Sequence, residues 1–220
     1  MTYQAEKSED FEEIAGILAA AFAEDPVIGW ALPPGLPGRE RCIAGFMCAW
    51  VRFMVEHEGT ALVSPSRDAV LVWEPSERAP VPAEDHEAFR ADISASTGPA
   101  AERCLALIDI LDARYPPGLP PHLHGALAAA RPGARSRGAF LLLAAEMLVQ
   151  LYHGELGLYV EASSDSSSAL WQRLGTSPIG PTIPLPDSDA VVTPLFLSPD
   201  GVARHPALPV ALSLPSARTA

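Results

Sequence analysis

Three arginines, Arg131, Arg135 and Arg137, fall within the stretch Arg131-Pro-Gly-Ala-Arg-Ser-Arg-Gly138. A Pro-Gly turn ahead of an apolar helical segment gathers backbone N–H and guanidinium groups between a strand and a helix start, an arrangement suited to phosphate. Charge alone also fits a solvated turn. Upstream, His122 and His124 alternate, which puts both imidazoles on one side of an extended strand. Imidazole titrates near neutral pH and is a candidate general base. No third ligand stands near the two histidines, so no metal is assigned. Downstream, Glu161 reaches the carboxyl end of a strand-like segment and is followed by Ser163, Ser164, Ser166, Ser167 and Ser168. Ligands in open α/β sheets gather at such edges, and serines there also serve as loop and helix caps.

The elements that must position these groups can be read from periodicity. Residues 8–24 open with acids and place Phe11, Ile14, Ile17, Leu18 and Phe22 at helical spacing, ending near Asp25-Pro26. Residues 27–37 read as a proline- and glycine-rich loop anchored by Trp30. A helix over 40–58 carries Ile43, Phe46, Met47, Trp50, Phe53 and Met54, a core stripe that can also line an acceptor pocket. Strands at 60–64 and 69–73 form an antiparallel hairpin. Helices follow at 84–94 and 100–114, with Asp109 and Asp112 facing water, and a stiff proline connector leads to His122. Residues 125–130 are alanine-rich and poor intrinsic strand formers; their small side chains suit close passage of a ligand or a backbone, and equally a packed helix. A buried helix over 139–152, a strand over 157–163, a short helix ending at Leu174-Gly175, and strands at 178–184 and 190–197 complete the pattern. Residues 1–197 read as a single domain and 198–220 as a C-terminal arm, surface-lying or partly disordered.

The length of 220 residues suffices for one full core. The net charge of −12 argues against a general nucleic-acid binder. No apolar run is long enough to span a bilayer, so no membrane partner is expected. Cys42, Cys48 and Cys104 lack metal-ligand spacing and read as reduced thiols of a cytosolic protein.

Taken in order, Ala20-Ala-Phe-Ala-Glu-Asp-Pro26, Ala69-Val-Leu-Val-Trp-Glu-Pro75, the arginine loop, Leu158-Tyr-Val-Glu-Ala-Ser-Ser164 and Ala169-Leu-Trp-Gln-Arg-Leu-Gly175 resemble the GCN5-related N-acetyltransferase (GNAT) superfamily, and within it the puromycin N-acetyltransferase-like group. The resemblance covers residues 9–197 and implies an α/β fold, a mixed, twisted central sheet flanked by helices. It also implies acetyl-CoA or another acyl-CoA as cosubstrate, held where two central strands splay. The cofactor-binding positions it implies are Ala130, Arg135, Ser136, Arg137, Gly138, Ala139, Phe140 and Ser167. The catalytic candidates are Glu161, His124, His122 and Trp171. Phe140 stands where glycine or alanine is usual, Ser167 where asparagine is, Trp171 where a thiolate-protonating tyrosine is, and Thr176 where phenylalanine is. The expected activity is acyl transfer to the amine of a small molecule. Two alternatives stay open: a catalytically degenerate protein of this fold that binds a small molecule, a protein partner or a second copy, and an enzyme with different chemistry in natural-product biosynthesis.

Overall fold

Side-chain alternation sorts the strands between two layers of helices. The computed structural model describes residues 5–214, and within residues 134–137 the helical backbone without the side chains. The chain runs β1 (Glu6–Lys7), α1 (Phe11–Phe22), α2 (Pro26–Ala31), α3 (Arg39–Glu56), β2 (Thr60–Val63), β3 (Ala69–Pro75), α4 (Ala83–Thr97), a 3-10 turn (Gly98–Ala100), α5 (Ala101–Arg114), β4 (His122–Ala130), α6 (Ala134–His153), β5 (Gly157–Ala162), α7 (Asp165–Arg173), β6 (Ser177–Pro178), β7 (Ile183–Pro184), β8 (Val191–Leu197), α8 (Pro199–Ala203) and α9 (Leu208–Ala211). The strand order is β1-β2-β3-β4-β5-β8-β6, with β7 also on β8. β4 and β5 pair in parallel, and the remaining pairs are antiparallel.

Along β3, Val70 and Val72 enter the core under α1 and α3–α5, while Ala69, Leu71 and Trp73 enter the core under α6 and the C-terminal helices. Both faces are covered, which is why the strand reads as a continuous apolar run. Glu74 continues the first face and Glu161, with Tyr159, continues it on β5, since Leu158, Val160 and Ala162 point toward α6.

β4 breaks this alternation, and the break shapes the molecule. Val72 pairs with Leu127 and Glu74 with His124, so two steps on β3 are matched by three on β4. The extra residue is a β-bulge, which bends the strand and leaves a residue outside the ladder. Leu123 accordingly faces α6, while Leu127 and Ala129 face α1 and α3. Pairing with β5 stops at Gly125↔Val160. Beyond that point β4 stays with β3, β5 stays with β8, and the sheet splays.

The structure differs from the periodicity in several places. The segment after Asp25 is a helix, not a loop: Asp25 Oδ1 accepts from the N–H groups of Val27 and Ile28, and Pro26 occupies the first turn, where its missing N–H costs nothing. Residues 125–130 are strand because pairing with β3 outweighs the weak propensity of alanine. α6 begins at Ala134 after Gly133, whose φ of 139° makes the turn, so the arginine loop is largely the first turn of the helix. Strand structure within 178–184 is confined to its ends. The stretch after Ser198 folds into α8 and α9, which bury Val202, Leu208 and Ala211 against the α6 side of the sheet. Among the described residues no helix is long and apolar enough to cross a membrane.

Candidate active site in the splayed cleft

His124 sits between two carboxylates. Its Nε2–H donates to Glu161 Oε2 at 3.3 Å, and its Nδ1 lies 3.5 Å from Glu74 Oε1, close enough for an ion pair but without a hydrogen bond. The side chain is 12% exposed, that of Glu161 8% and that of Glu74 15%. Burial pushes the imidazole pKa down, but Glu161 and then Glu74 outweigh it and raise the value to about 9. His124 is therefore an imidazolium at neutral pH. Glu161 is engaged at its other oxygen by the Tyr159 hydroxyl, 2.9 Å from Oε1. Glu74 is held from outside by Arg78, with Nη1 2.9 Å from Oε2.

His122 shares the face of His124 but serves a different purpose. Its Nδ1–H donates to the Pro120 carbonyl at 2.7 Å, leaving Nε2 to accept the Tyr115 hydroxyl at 2.6 Å. Burial lowers its pKa, consistent with a neutral ring. The pair fixes Tyr115, whose ring stands edge-on to Tyr159 at 4.9 Å and to His124 at 5.4 Å. Burial raises the pKa of both tyrosines, so their hydroxyls remain donors.

A cavity of about 360 Å³ opens on this cluster. Trp50, Phe53 and Phe89 supply aromatic walls, Tyr115 and His124 stand at one end, and Glu74, Glu161 and Asp112 carry negative charge into it. Asp109 and Asp112 are both exposed, as expected; Asp109 holds a two-pronged ion pair with Arg90, at 2.6 and 3.2 Å, and Asp112 also lines the cavity. Burial first, and then the neighbouring acids, raise the Asp112 pKa.

A second cavity, of about 80 Å³, occupies the splay itself and shares Trp50, Leu111, Ala126 and Glu161 with the first. Its walls include the bulged stretch of β4 from Gly125 to Ala128, then Ser163, Ser167 and Trp171. Asp25 and Ser163 meet at its edge, the Ser163 hydroxyl donating to Asp25 Oδ2. Burial raises the Asp25 pKa against the opposing effect of that hydrogen bond and of the two backbone donors.

The cofactor-binding candidates divide. Ala130 ends β4 paired with Ala69. The side chains of Arg135, Ser136 and Arg137 lie outside the described residues, but their backbone forms the start of a 20-residue helix whose N-cap is Gly133. Gly138 is exposed and a Cβ there would meet nothing within 4 Å, while Ala139 is half-buried. Phe140 is 6% exposed and turned inward, its ring edge-on to Trp171 at 5.9 Å. It belongs to the apolar core under α6 and lines neither cavity. Ser167 is the third residue of α7 and completes a reciprocal capping box with Ser164. Thr176 is buried, its hydroxyl without a hydrogen-bond partner among the described residues. Sequence reasoning missed Glu74, Tyr115, Tyr159 and Asp25 as site residues. The Trp-Glu-Pro exit of β3 was the one available signal, because alternation from Val70 and Val72 puts Glu74 on the same face.

No protein-family model matches the chain, and no curated protein matches it in sequence. Solved structures match its fold over nearly its whole length. A protein from Corynebacterium glutamicum described as histone acetyltransferase HPA2 and related acetyltransferase superposes with a TM-score of 0.65 at 23% identity, covering 90% of this chain and 97% of that one. An agmatine N-acetyltransferase in its apo form gives 0.53 at 17%, covering 90% and 99%. The Drosophila melanogaster polyamine N-acetyltransferase, which forms N-acetylagmatine, gives 0.51 at 18%, covering 86% and 95%. The chain has the mixed α/β fold of the GNAT acyl-CoA N-acyltransferases.

Proposed function

We propose that the protein is an N-acyltransferase that moves an acetyl or other acyl group from acyl-CoA to the amine of a small molecule, along the lines of the puromycin N-acetyltransferase-like group. The observation that carries this reading is the adjacency of the two cavities: the one in the splay between β4 and β5 shares Trp50, Leu111, Ala126 and Glu161 with the one lined by Glu74, His124 and Glu161. The start of α6 would present its N–H groups to the pyrophosphate, with Arg135, Ser136, Arg137 and Gly138 as the contributing residues. Free thiols at Cys42, Cys48 and Cys104 fit a reducing, cytosolic setting.

The acceptor amine enters the larger cavity as a cation, attracted by Glu161, Glu74 and Asp112 and packed against Trp50 and Phe53. It gives its proton to Glu161, directly or through water, and the neutral nitrogen attacks the thioester carbonyl. The C–N bond forms, the C–S bond breaks, CoA leaves as its thiolate, and the second proton of the nitrogen passes to solvent, which also protonates the thiolate. Backbone N–H groups at the β4 bulge stabilise the developing oxyanion. His124, already charged, does not serve as the base: it positions Glu161 and balances its charge. His122 acts at one remove by holding Tyr115. Trp171 can orient the thioester through its indole N–H but cannot release that proton, so the thiolate departs without a general acid.

The absence of an acid at Trp171 also favours a second reading, a binding protein of the same fold that has lost catalysis. Calorimetric titration with acetyl-CoA and CoA tests what the two share, and an Arg137→Ala control tests the pyrophosphate seat. Saturable binding that weakens at least tenfold in the variant is expected. No heat with either ligand would sink the acyl-CoA assignment.

A further inference from the structure

The charges that line the larger cavity pair among themselves, with one exception. Arg78 holds Glu74, His124 lies between Glu161 and Glu74, and Arg90 turns its guanidinium to Asp109, which does not line the cavity. Asp112 is left over: among the described residues its carboxylate has neither a hydrogen bond nor an ion pair. Arg90 on α4 meets Asp109 on α5, and Asp112 lies nearly one turn further along α5, within the field of His86 one turn before Arg90. Burial and the neighbouring acids work against its charge, so a cation brought to it would be stabilising, and no arginine or lysine among the described residues supplies one. Glu161 is placed differently, on β5 against the sheet and only 8% exposed. The two carboxylates mark an inner and an outer end of one cavity, which Trp50, Phe53, Phe89 and Leu111 wall with apolar surface.

We propose that Asp112 forms a second cation subsite and that the acceptor is a diamine, acylated at the nitrogen beside Glu161 and held at Asp112 by its other, positively charged end. The inference rests on the acyl-transfer reading and sharpens it by naming the acceptor. The outer nitrogen stays protonated throughout and takes no part in the transfer, whose bonds and protons are those already described. The aromatic walls pack against the hydrocarbon spacer and flank the outer cation. A monoamine of the same length satisfies Glu161 and leaves Asp112 unpaired. An amino acid brings a second negative charge toward Asp112, into a cavity whose cations are already engaged, and is rejected.

The test compares 1,5-diaminopentane, pentylamine and 5-aminopentanoate, which share a chain and differ in the far group, together with shorter and longer diamines that vary the span. Thiol release from acetyl-CoA reads their use as acceptors, and calorimetric titration of the full chain reads their binding whether or not turnover occurs. At the best span the diamine is expected to exceed its monoamine about 10-fold, the scale of one hydrogen-bonded charge, with the amino acid weakest. Asp112→Asn should bring the diamine-to-monoamine ratio close to one, and Asp112→Lys should turn the preference toward the amino acid. Glu87→Gln removes an exposed acid of α4 that does not line the cavity and should keep the ratio. Thiol release with equal use of diamine and monoamine at every span would overturn the proposal while leaving acyl transfer standing. A diamine preference that survives Asp112→Asn, or is lost equally in Glu87→Gln, would overturn the assignment to Asp112. Diamine-selective binding without thiol release from any amine would remove the acyl-transfer reading and leave the cation subsite standing; neither binding nor release with any of them would overturn both.

Discussion

His124 has two carboxylate neighbours, and their effect is open to a direct check. Its folded-state pKa, near 9, lies above the value of about 6.5 for an unperturbed histidine. The unfolded chain thus loses this proton first, and the stability contributed by the charged ring is complete below about pH 6.5 and disappears as pH rises through 9. Chemical denaturation between pH 6 and 10 should show stability falling across that window in the wild type and a flatter profile in His124→Gln. Identical profiles would mean that the ring is neutral between its acids. Trp171 supports a second prediction at this scale. Trp171→Tyr restores a hydroxyl that can protonate the leaving thiolate, and acyl transfer should rise by about 10-fold or more, within the range of general acid catalysis. No gain across varied amines would count against a site that lacks only its acid. The residues legible in the sequence were those beside a local motif: His124, Glu161, Ser167 and Trp171. Glu74, Tyr115, Tyr159 and Asp25 were not legible as a group, because their convergence depends on strand pairing and helix packing between distant segments.

Among the elements, α2 and β4 diverged most from the periodicity, and both shape the cleft. Asp25-Pro26 was read as a helix stop, yet the same pair starts α2, since aspartate caps and proline fits the first turn. Asp25→Ala should cost about 1 kcal/mol or somewhat more in urea denaturation, reflecting a lost N-cap with two backbone donors. Ser163→Ala should cost less, because it leaves the cap in place. Comparable losses would show that the Ser163 contact, not the cap, holds α2. The bulge in β4 had no local signature beyond small residues. Its existence follows from two facing patterns: Leu123 must meet α6 and Leu127 must meet α1 and α3, which a regular strand cannot satisfy. α6 started earlier than its apolar run because alanine and arginine are good helix formers and Gly133 supplies the turn.

For the whole molecule, the order of amphipathic helices, apolar strands and serine-capped α7 made the mixed sheet legible, since each pattern is local and both sheet faces are buried. The shape and size of the cavities were not legible, because they are set by what the splay and the α2–α5 layer leave unfilled. The acidic balance of −12 and the three cavity carboxylates favour a cationic acceptor, and under the proposed acyl transfer the wall residues that the two cavities share would set that acceptor beside the donor. The decisive measurement is amine-dependent thiol release from acetyl- and butyryl-CoA across a panel of aromatic and aliphatic primary amines, with wild-type protein and Glu161→Gln side by side. Acyl transfer predicts saturable release with at least one amine, reduced about 10²-fold or more in the variant while acyl-CoA binding persists. Thioester binding without release for any amine, in the wild type and in Trp171→Tyr alike, would contradict it and leave a protein of this fold that binds its ligand without turning it over.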